Sequence, residues 1–242
     1  MQRIVITGAS SGIGAALARH YAAEGVTLGL IARRKEKLAA VARACEQAGA
    51  VVYQYSADVT DAERLQACAN DFVAQVGGVD LVVANAGLFR SCSPLTSTAA
   101  EVNELLAVNL GGVVNTLLAF IPTMKAQGAG TLVAVSSVAS FKGLPGGVYS
   151  ASKVAVRYLA DGWRPELQRA GIQLTTVYPG FVESEMTTSR RWYPFKISAE
   201  QAAREIAWAA ARGKREYMFP WQWRVLAPIL RHLPASFYAR RF

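Results

Sequence analysis

Tyr149 and Lys153 stand four positions apart in the stretch GVYSASK, and that spacing puts two side chains on one face of a helix. A free phenol titrates near pH 10, too high to exchange its proton readily at neutrality, and a nearby ammonium favours the phenolate. The pair predicts a tunable acid–base. Upstream, VSSVAS offers two adjacent hydroxyls, Ser136 and Ser137, and strand alternation lets only one of them face a common site. Near the N-terminus, TGASSGIG sets Gly8, Gly12 and Gly14 in a G-x-x-x-G-x-G spacing, with Ser10, Ser11 and Ile13 between them. A turn of this kind needs a residue that tolerates positive φ, keeps Cβ atoms away from a pyrophosphate, and presents the anion to free N–H groups at a helix start. After the second apolar run come Ala32, Arg33 and Arg34. An acidic residue there would hold both ribose hydroxyls of a dinucleotide; two guanidinium forks suit a 2′-phosphate instead. The expected cofactor is NADP(H), preferred over NAD(H).

These residues need a scaffold, and the hydropathy pattern supplies one. Short, mostly apolar runs (RIVIT, TLGLIA, VVYQYSAD, LVVANAG, TLVAVSS, IQLTTVYPG and REYMFP) alternate with longer helix-like stretches. Strands apolar on both faces and separated by helices imply a parallel sheet covered on both sides. The expected fold class is α/β, a doubly wound parallel sheet of the Rossmann type. One stretch, about Glu101 to Met124, reads as a long buried helix with Asn109 inside it; asparagine is a poor choice for a helix interior unless it has a task there. No linker or internal repeat divides the chain. It reads as one domain, residues 1–220, with a basic aromatic extension, 221–242.

Composition narrows the function classes. The 242 residues are 52% hydrophobic and 18% charged, which argues against disorder. Cys45, Cys68 and Cys92 are odd in number and lack C-x-x-C spacing, and His20 and His232 lie far apart; neither a disulfide framework nor a metal centre is expected. No basic-then-apolar leader opens the sequence and no unbroken run of eighteen apolar residues occurs, so neither a secretory signal nor a bilayer span is expected. The expected location is the cytoplasm.

The glycine loop, the NAG at 85–87 and Tyr149-x-x-x-Lys153, in this order and spacing, resemble the short-chain dehydrogenases/reductases in their single-domain branch. The resemblance covers residues 1 to about 220 and implies a set of roles. Tyr149 gives the proton as a carbonyl accepts hydride. Lys153 tunes it and grips the nicotinamide ribose. A serine polarises the substrate oxygen: Ser137 is expected, by the apolar residue that follows it, with Ser136 the alternative by the family's usual spacing of thirteen to the tyrosine. Asn109 supports a water relay from the lysine. Asp58 and Val59 contact the adenine, Asn85, Ala86 and Gly87 line the adenosine side, and Pro179, Gly180, Val182 and Ser184 pass the nicotinamide. The family commonly forms dimers or tetramers, and a homo-oligomer is expected.

The net charge of +9 is uneven: residues 190–242 hold 11 Lys/Arg against 3 Asp/Glu, leaving the body nearly neutral. Trp192, Trp208, Trp221 and Trp223 fall in the same region. Arginines and tryptophans around short apolar pieces suit a membrane interface, or a tail that packs on another subunit or closes over the substrate. Pro228 and Pro234 predict two short helical pieces. No nucleic-acid-binding motif is present. The activity expected is reduction of an apolar carbonyl compound, or the reverse oxidation of an alcohol. Phe89, Phe141, Met186 and Trp192 are expected to make its pocket greasy. An epimerase or dehydratase on the same fold, or a non-catalytic NADP-sensing protein, are the alternatives.

Overall fold

A computed structural model describes residues 2–143, 147–185 and 193–232. Seven strands form one sheet: β1 (Gln2–Thr7), β2 (Val26–Ala32), β3 (Val51–Ser56), β4 (Leu81–Ala84), β5 (Gly130–Val135), β6 (Ile172–Pro179) and β7 (Glu216–Phe219). Their order is β3-β2-β1-β4-β5-β6-β7, and every neighbouring pair is parallel. The chain is therefore a doubly wound α/β fold of the Rossmann type, and the order reverses between β1 and β4. Ligands of such sheets lie beyond the carboxyl ends of the strands at that switch point.

Alternation along the strands splits the core into two layers. Ile4 and Ile6 of β1 pack with Leu17 of α1 (Gly12–Tyr21), Leu38 of α2 (Lys35–Gln47) and Ile206 of α7 (Ala199–Ala211). Val5 faces the other way, towards Phe72 of α3 (Ala62–Val76), Phe120 of α5 (Gly112–Gln127) and Val156 of α6 (Val148–Arg169). The central strands β1, β2, β4, β5 and β6 are covered on both faces, which is why they are mostly apolar; β3 and β7 form the edges, where Val51, Gln54, Ser56 and Glu216 are exposed. Cys45, Cys68 and Cys92 are all free and buried, and no group of potential metal ligands occurs among the described residues.

The expected long helix is built in three parts. α4 (Ala99–Leu106) starts at a capping box between Thr98 and Glu101, a π-helical turn follows at Ala107–Gly111, and α5 continues to Gln127. By length and apolarity Ala99–Gln127 meets the requirement of a bilayer span, which a search for unbroken apolar runs overlooked. Here it serves as a core helix: Val113, Leu117, Phe120 and Met124 are buried against α3 and the sheet.

The C-terminal region also departs from expectation. α8 (Gln222–His232) runs through Pro228 without a break. Proline removes a single backbone donor from the helix, and Trp223 and Ala227, both buried, hold that turn against the body. Pro234 lies outside the described residues.

Candidate active site

The glycine loop joins β1 to α1. Gly8 has φ +68°, and a Cβ on it would stand 2.8 Å from the Ala86 Cα; a Cβ on Gly14 would stand 2.3 Å from the Gly8 carbonyl oxygen and 2.6 Å from Asn85 Nδ2. No side chain larger than hydrogen fits at either place. Asn85 fastens this crossing: its Nδ2 donates to the Thr7 carbonyl at 3.0 Å, while Thr7 Oγ1 accepts from the Asn85 and Ala86 N–H groups at 3.2 and 3.3 Å. The ends of β1 and β4 are thus locked side by side at the switch point. Ser11 stands at the N-cap of α1 without a side-chain capping bond, and the first turn holds no acid. The first-turn N–H groups of α1 and the glycine cradle fit the pyrophosphate of a dinucleotide.

Beyond the loop lies a cleft of about 910 Å³, near the top of the range for small-molecule sites. Its walls include Ser10, Ser11, Gly12 and Ile13. Arg33, Arg34, Asp58 and Val59 line it too, as do Asn85, Ala86 and Gly87, and Ser137, Tyr149, Lys153, Pro179, Gly180, Val182 and Ser184. Of the expected site residues, Gly14 and Asn109 stand behind this lining. Val182 is buried and pairs with Ile197. Ser184 meets the loop directly, since a Cβ on Gly12 would stand 3.3 Å from the Ser184 Cβ.

The two serines point in opposite directions. Ser136 Oγ donates to the Lys153 carbonyl at 2.8 Å. Ser137 Oγ accepts from the Ala139 N–H at 3.1 Å and is hydrogen-bonded to the Tyr149 phenol. The structure thus puts Ser137, not Ser136, beside the tyrosine, although it lies twelve positions before it. Tyr149 and Lys153 share one face of α6, with Nζ 5.9 Å from the phenol ring centroid. Lys153 is buried, and its Nζ donates to the Val135 carbonyl at 3.0 Å.

The protonation states differ from the expectation of a depressed phenol. Burial pushes Tyr149 above its ordinary value, and the Ser137 hydroxyl opposes that rise without cancelling it. Burial also pulls Lys153 down to about 8. The reason is that both groups are desolvated, and desolvation penalises whichever form is charged. In this arrangement the ammonium is engaged by a main-chain carbonyl and leaves the phenol protonated at neutral pH.

Asn109 sits fully buried in the π-helical turn. Its Oδ1 accepts from the Leu88 N–H at 2.8 Å, and its Nδ2 donates to the Leu88 carbonyl at 2.9 Å and to Ser152 Oγ at 3.1 Å. It clamps the loop after β4 to α6. A Cβ on Gly87 would lie 3.2 Å from Asn109 Oδ1 and 3.5 Å from Lys153 Nζ, so the two side chains converge on one point.

Arg34 reaches the glycine loop, with Nη2 2.5 Å from Ser11 Oγ and 3.2 Å from Ser10 Oγ. Arg33 Nη1 lies 3.3 Å from Asp58 Oδ2. Burial raises the Asp58 carboxyl, but hydrogen bonds from Thr60 and the Arg33 charge outweigh it and hold it below its usual value.

Several lining residues had not been singled out from the sequence. Phe181, Tyr193, Phe195 and Trp223 form an aromatic wall near Gly180. Trp223 stacks on Gly180, where a Cβ would stand 2.3 Å from the indole nitrogen. The aromatic richness of the C-terminal region was the available signal for Trp223. Phe89 lines the cleft as expected and meets Tyr149 edge-to-face at 5.0 Å. Phe141 does not line it; it packs between Tyr178 and the Arg157 guanidinium. Met186 and Trp192 lie outside the described residues.

A model of the short chain dehydrogenase family matches residues 2–193. The chain belongs to the short-chain dehydrogenases/reductases. An uncharacterized oxidoreductase of Myxococcus xanthus is 36% identical over 232 residues, covering 95% of this chain and 92% of the relative. Two solved members of the family share the architecture. A Mycobacterium paratuberculosis short-chain dehydrogenase bound to NAD superposes with TM-score 0.81 at 25% identity, over 90% of this chain and 95% of that one. An alcohol dehydrogenase from Thermococcus sibiricus complexed with 5-hydroxy-NADP gives 0.79 at 30% identity, over 90% and 96%. The family is one of oxidoreductases that use a nicotinamide dinucleotide and small-molecule substrates, and this chain is such an oxidoreductase.

Proposed function

We propose that this short-chain dehydrogenase/reductase prefers NADP(H) and interconverts an apolar carbonyl compound and its alcohol. The observation that carries this reading is the convergence of Ser137, Tyr149 and Lys153 in the same cleft that Arg33, Arg34 and an aromatic wall line. The bound nicotinamide supplies or accepts the hydride. The chain's own part is to hold the substrate oxygen and move a proton. The Ser137 oxygen accepts from the Ala139 N–H, and its hydrogen, directed towards the Tyr149 oxygen, is placed to polarise a carbonyl bound between the two. Tyr149, protonated at neutral pH, delivers the phenolic proton to the developing alkoxide. Lys153 holds the ribose, and Asn109 supports a relay that returns the proton. Asp58, Val59 and residues 85–87 receive the adenosine; Pro179, Gly180, Val182 and Ser184 border the nicotinamide.

The arginines support the cofactor preference, because a guanidinium beside loop hydroxyls suits a phosphate better than a bare ribose. Arg33→Ala and Arg34→Ala should each raise the Kd for NADPH about tenfold or more and leave that for NADH nearly unchanged. Equal effects on both cofactors would remove the assignment. The aromatic wall of Phe89, Phe181, Tyr193, Phe195 and Trp223 supports an apolar substrate. An epimerase or dehydratase would consume no net cofactor, and a sensing protein would bind NADPH without turnover; measured cofactor stoichiometry separates both from a reductase.

A second feature favours peripheral membrane contact by a cytoplasmic homo-oligomer. Trp221, just before α8, and Val225 and Ile229 on it are spaced four residues apart and are all exposed, in the region that holds most of the positive charge. Sedimentation with anionic vesicles tests it: a full-length chain that stays in the supernatant has no such contact.

A further inference from the structure

The loop after β6 sends one carboxylate back across the cofactor cleft. Glu185 Oε2 lies 2.5 Å from Arg34 Nη1, and Glu185 Oε1 lies 2.5 Å from Lys37 Nζ. Arg34 is 151 residues away in sequence. The same guanidinium holds Ser10 and Ser11 of the glycine loop through its remaining donors, so Glu185 engages the group best placed to receive a ribose phosphate. Lys37 stands on the first turn of α2 beside it. A carboxylate and a phosphate monoester ask for the same things: a planar fork of N–H donors and a point cation. Two anions cannot share them without repulsion. A ribose with a free 2′-hydroxyl makes no such demand.

We propose that Glu185 is a built-in competitor of the 2′-phosphate, and that Lys37 is a further cation of that phosphate's site, so that the Arg34–Glu185–Lys37 cluster sets how strongly the chain discriminates between the two nicotinamide cofactors. The proposal rests on the NADP(H) reading above. Binding of a 2′-phosphorylated ribose draws Arg34 and Lys37 away from Glu185; binding of the unphosphorylated ribose leaves the cluster intact. Lys37 first, and Arg34 with it, hold the Glu185 carboxyl down at about 2, so the competitor is fully charged at any pH where the protein works. Glu185, Arg34 and Lys37 are about half exposed. Their ion pairs are correspondingly modest, and releasing both of them corresponds to an affinity gain of about two- to fivefold.

The test is isothermal titration calorimetry of the full-length chain with adenosine 2′,5′-bisphosphate and with 5′-AMP, which avoids any dependence on turnover. Glu185→Gln keeps the size of the side chain and removes its charge. It should tighten the bisphosphate about two- to fivefold and leave 5′-AMP unchanged, equally at pH 6 and pH 8. Lys37→Ala should weaken the bisphosphate and spare 5′-AMP. Unchanged or weaker bisphosphate binding by Glu185→Gln overturns the proposal, because Glu185 would then serve to steady Arg34. Wild-type protein that binds both probes alike contradicts the NADP(H) reading separately. In that case a preference that emerges in Glu185→Gln still identifies Glu185 as the competitor, and its failure to emerge removes both ideas.

Discussion

Ser136 donates to the main-chain carbonyl of Lys153 at 2.8 Å, so its hydroxyl ties the end of β5 to the helix that carries the acid–base pair. Its neighbour Ser137 is left to face Tyr149. Two adjacent hydroxyls thereby separate into one that holds the scaffold and one that meets the site, as strand alternation requires.

Alanine at each serine should give opposite results. Ser137→Ala should lower kcat by about 100-fold or more, the size of effect seen when a hydrogen bond to a developing oxyanion is lost, with little change in stability. Ser136→Ala should keep most of the turnover and lose about 1 kcal/mol of stability, because it removes a buried hydrogen bond to a carbonyl of α6. Steady-state kinetics beside urea denaturation reads both. The reverse pattern would move the role to Ser136.

Lys153 makes a prediction about pH. Its folded value of about 8 lies below the value of about 10.4 in an unfolded chain. Between these two values the unfolded state binds more protons, so the contribution of Lys153 to stability rises with pH. Between pH 8 and 10 the gain is on the order of 2 kcal/mol in the absence of cofactor. Tyr149 acts in the opposite sense above about pH 10: its folded value is raised, so the unfolded phenol ionises first and stability falls. The difference in unfolding free energy between wild type and Lys153→Met should therefore shift in favour of wild type from pH 8 to 10. A difference that stays flat would show that the ammonium is not desolvated.

Asn109 holds both the N–H and the carbonyl of Leu88. Asn109→Ala orphans two backbone groups and should cost about 2–4 kcal/mol. Its convergence with Lys153 on Gly87 adds a second expectation: the pH profile of kcat in the surviving protein should shift. A loss of stability with an unchanged profile would reduce Asn109 to a clamp.

Trp223 closes one side of the cleft by stacking on Gly180, and its Nε1 has no hydrogen-bond partner among the described residues. Trp223→Ala should cost about 3–5 kcal/mol. Trp223→Phe, which keeps much of the packing, should raise KM for long apolar substrates more than for short ones. An equal change in KM for both would place Trp223 outside the substrate's path.

The fold was legible because the central strands are mostly apolar on both faces, as β1 shows with Ile4 and Ile6 on one layer and Val5 on the other. The glycine loop and Tyr149–Lys153 were legible because their geometry is local, within one turn or one helical repeat. Ser136 against Ser137 was not settled by spacing: loop length and strand register gave conflicting counts, and only the direction of each hydroxyl distinguishes them. The π-helical turn at Asn109 was hidden because an apolar stretch does not report how many residues its turns hold. Phe141 was misplaced because an aromatic residue near a site packs as readily on Tyr178 and Arg157 as in the pocket. The Arg34–Glu185 pair and the stacking of Trp223 on Gly180 join distant segments, and no periodicity encodes such meetings.

The most direct measurement is cofactor oxidation by wild type and Tyr149→Phe, with NADPH beside NADH, against ketones and aldehydes graded from short and polar to long and apolar. NADPH-dependent turnover that rises with apolar length, exceeds that with NADH, and falls at least about 100-fold in Tyr149→Phe is the result predicted. NADPH that binds but is never oxidised, or oxidation that persists in Tyr149→Phe, would contradict a reductase whose proton comes from Tyr149.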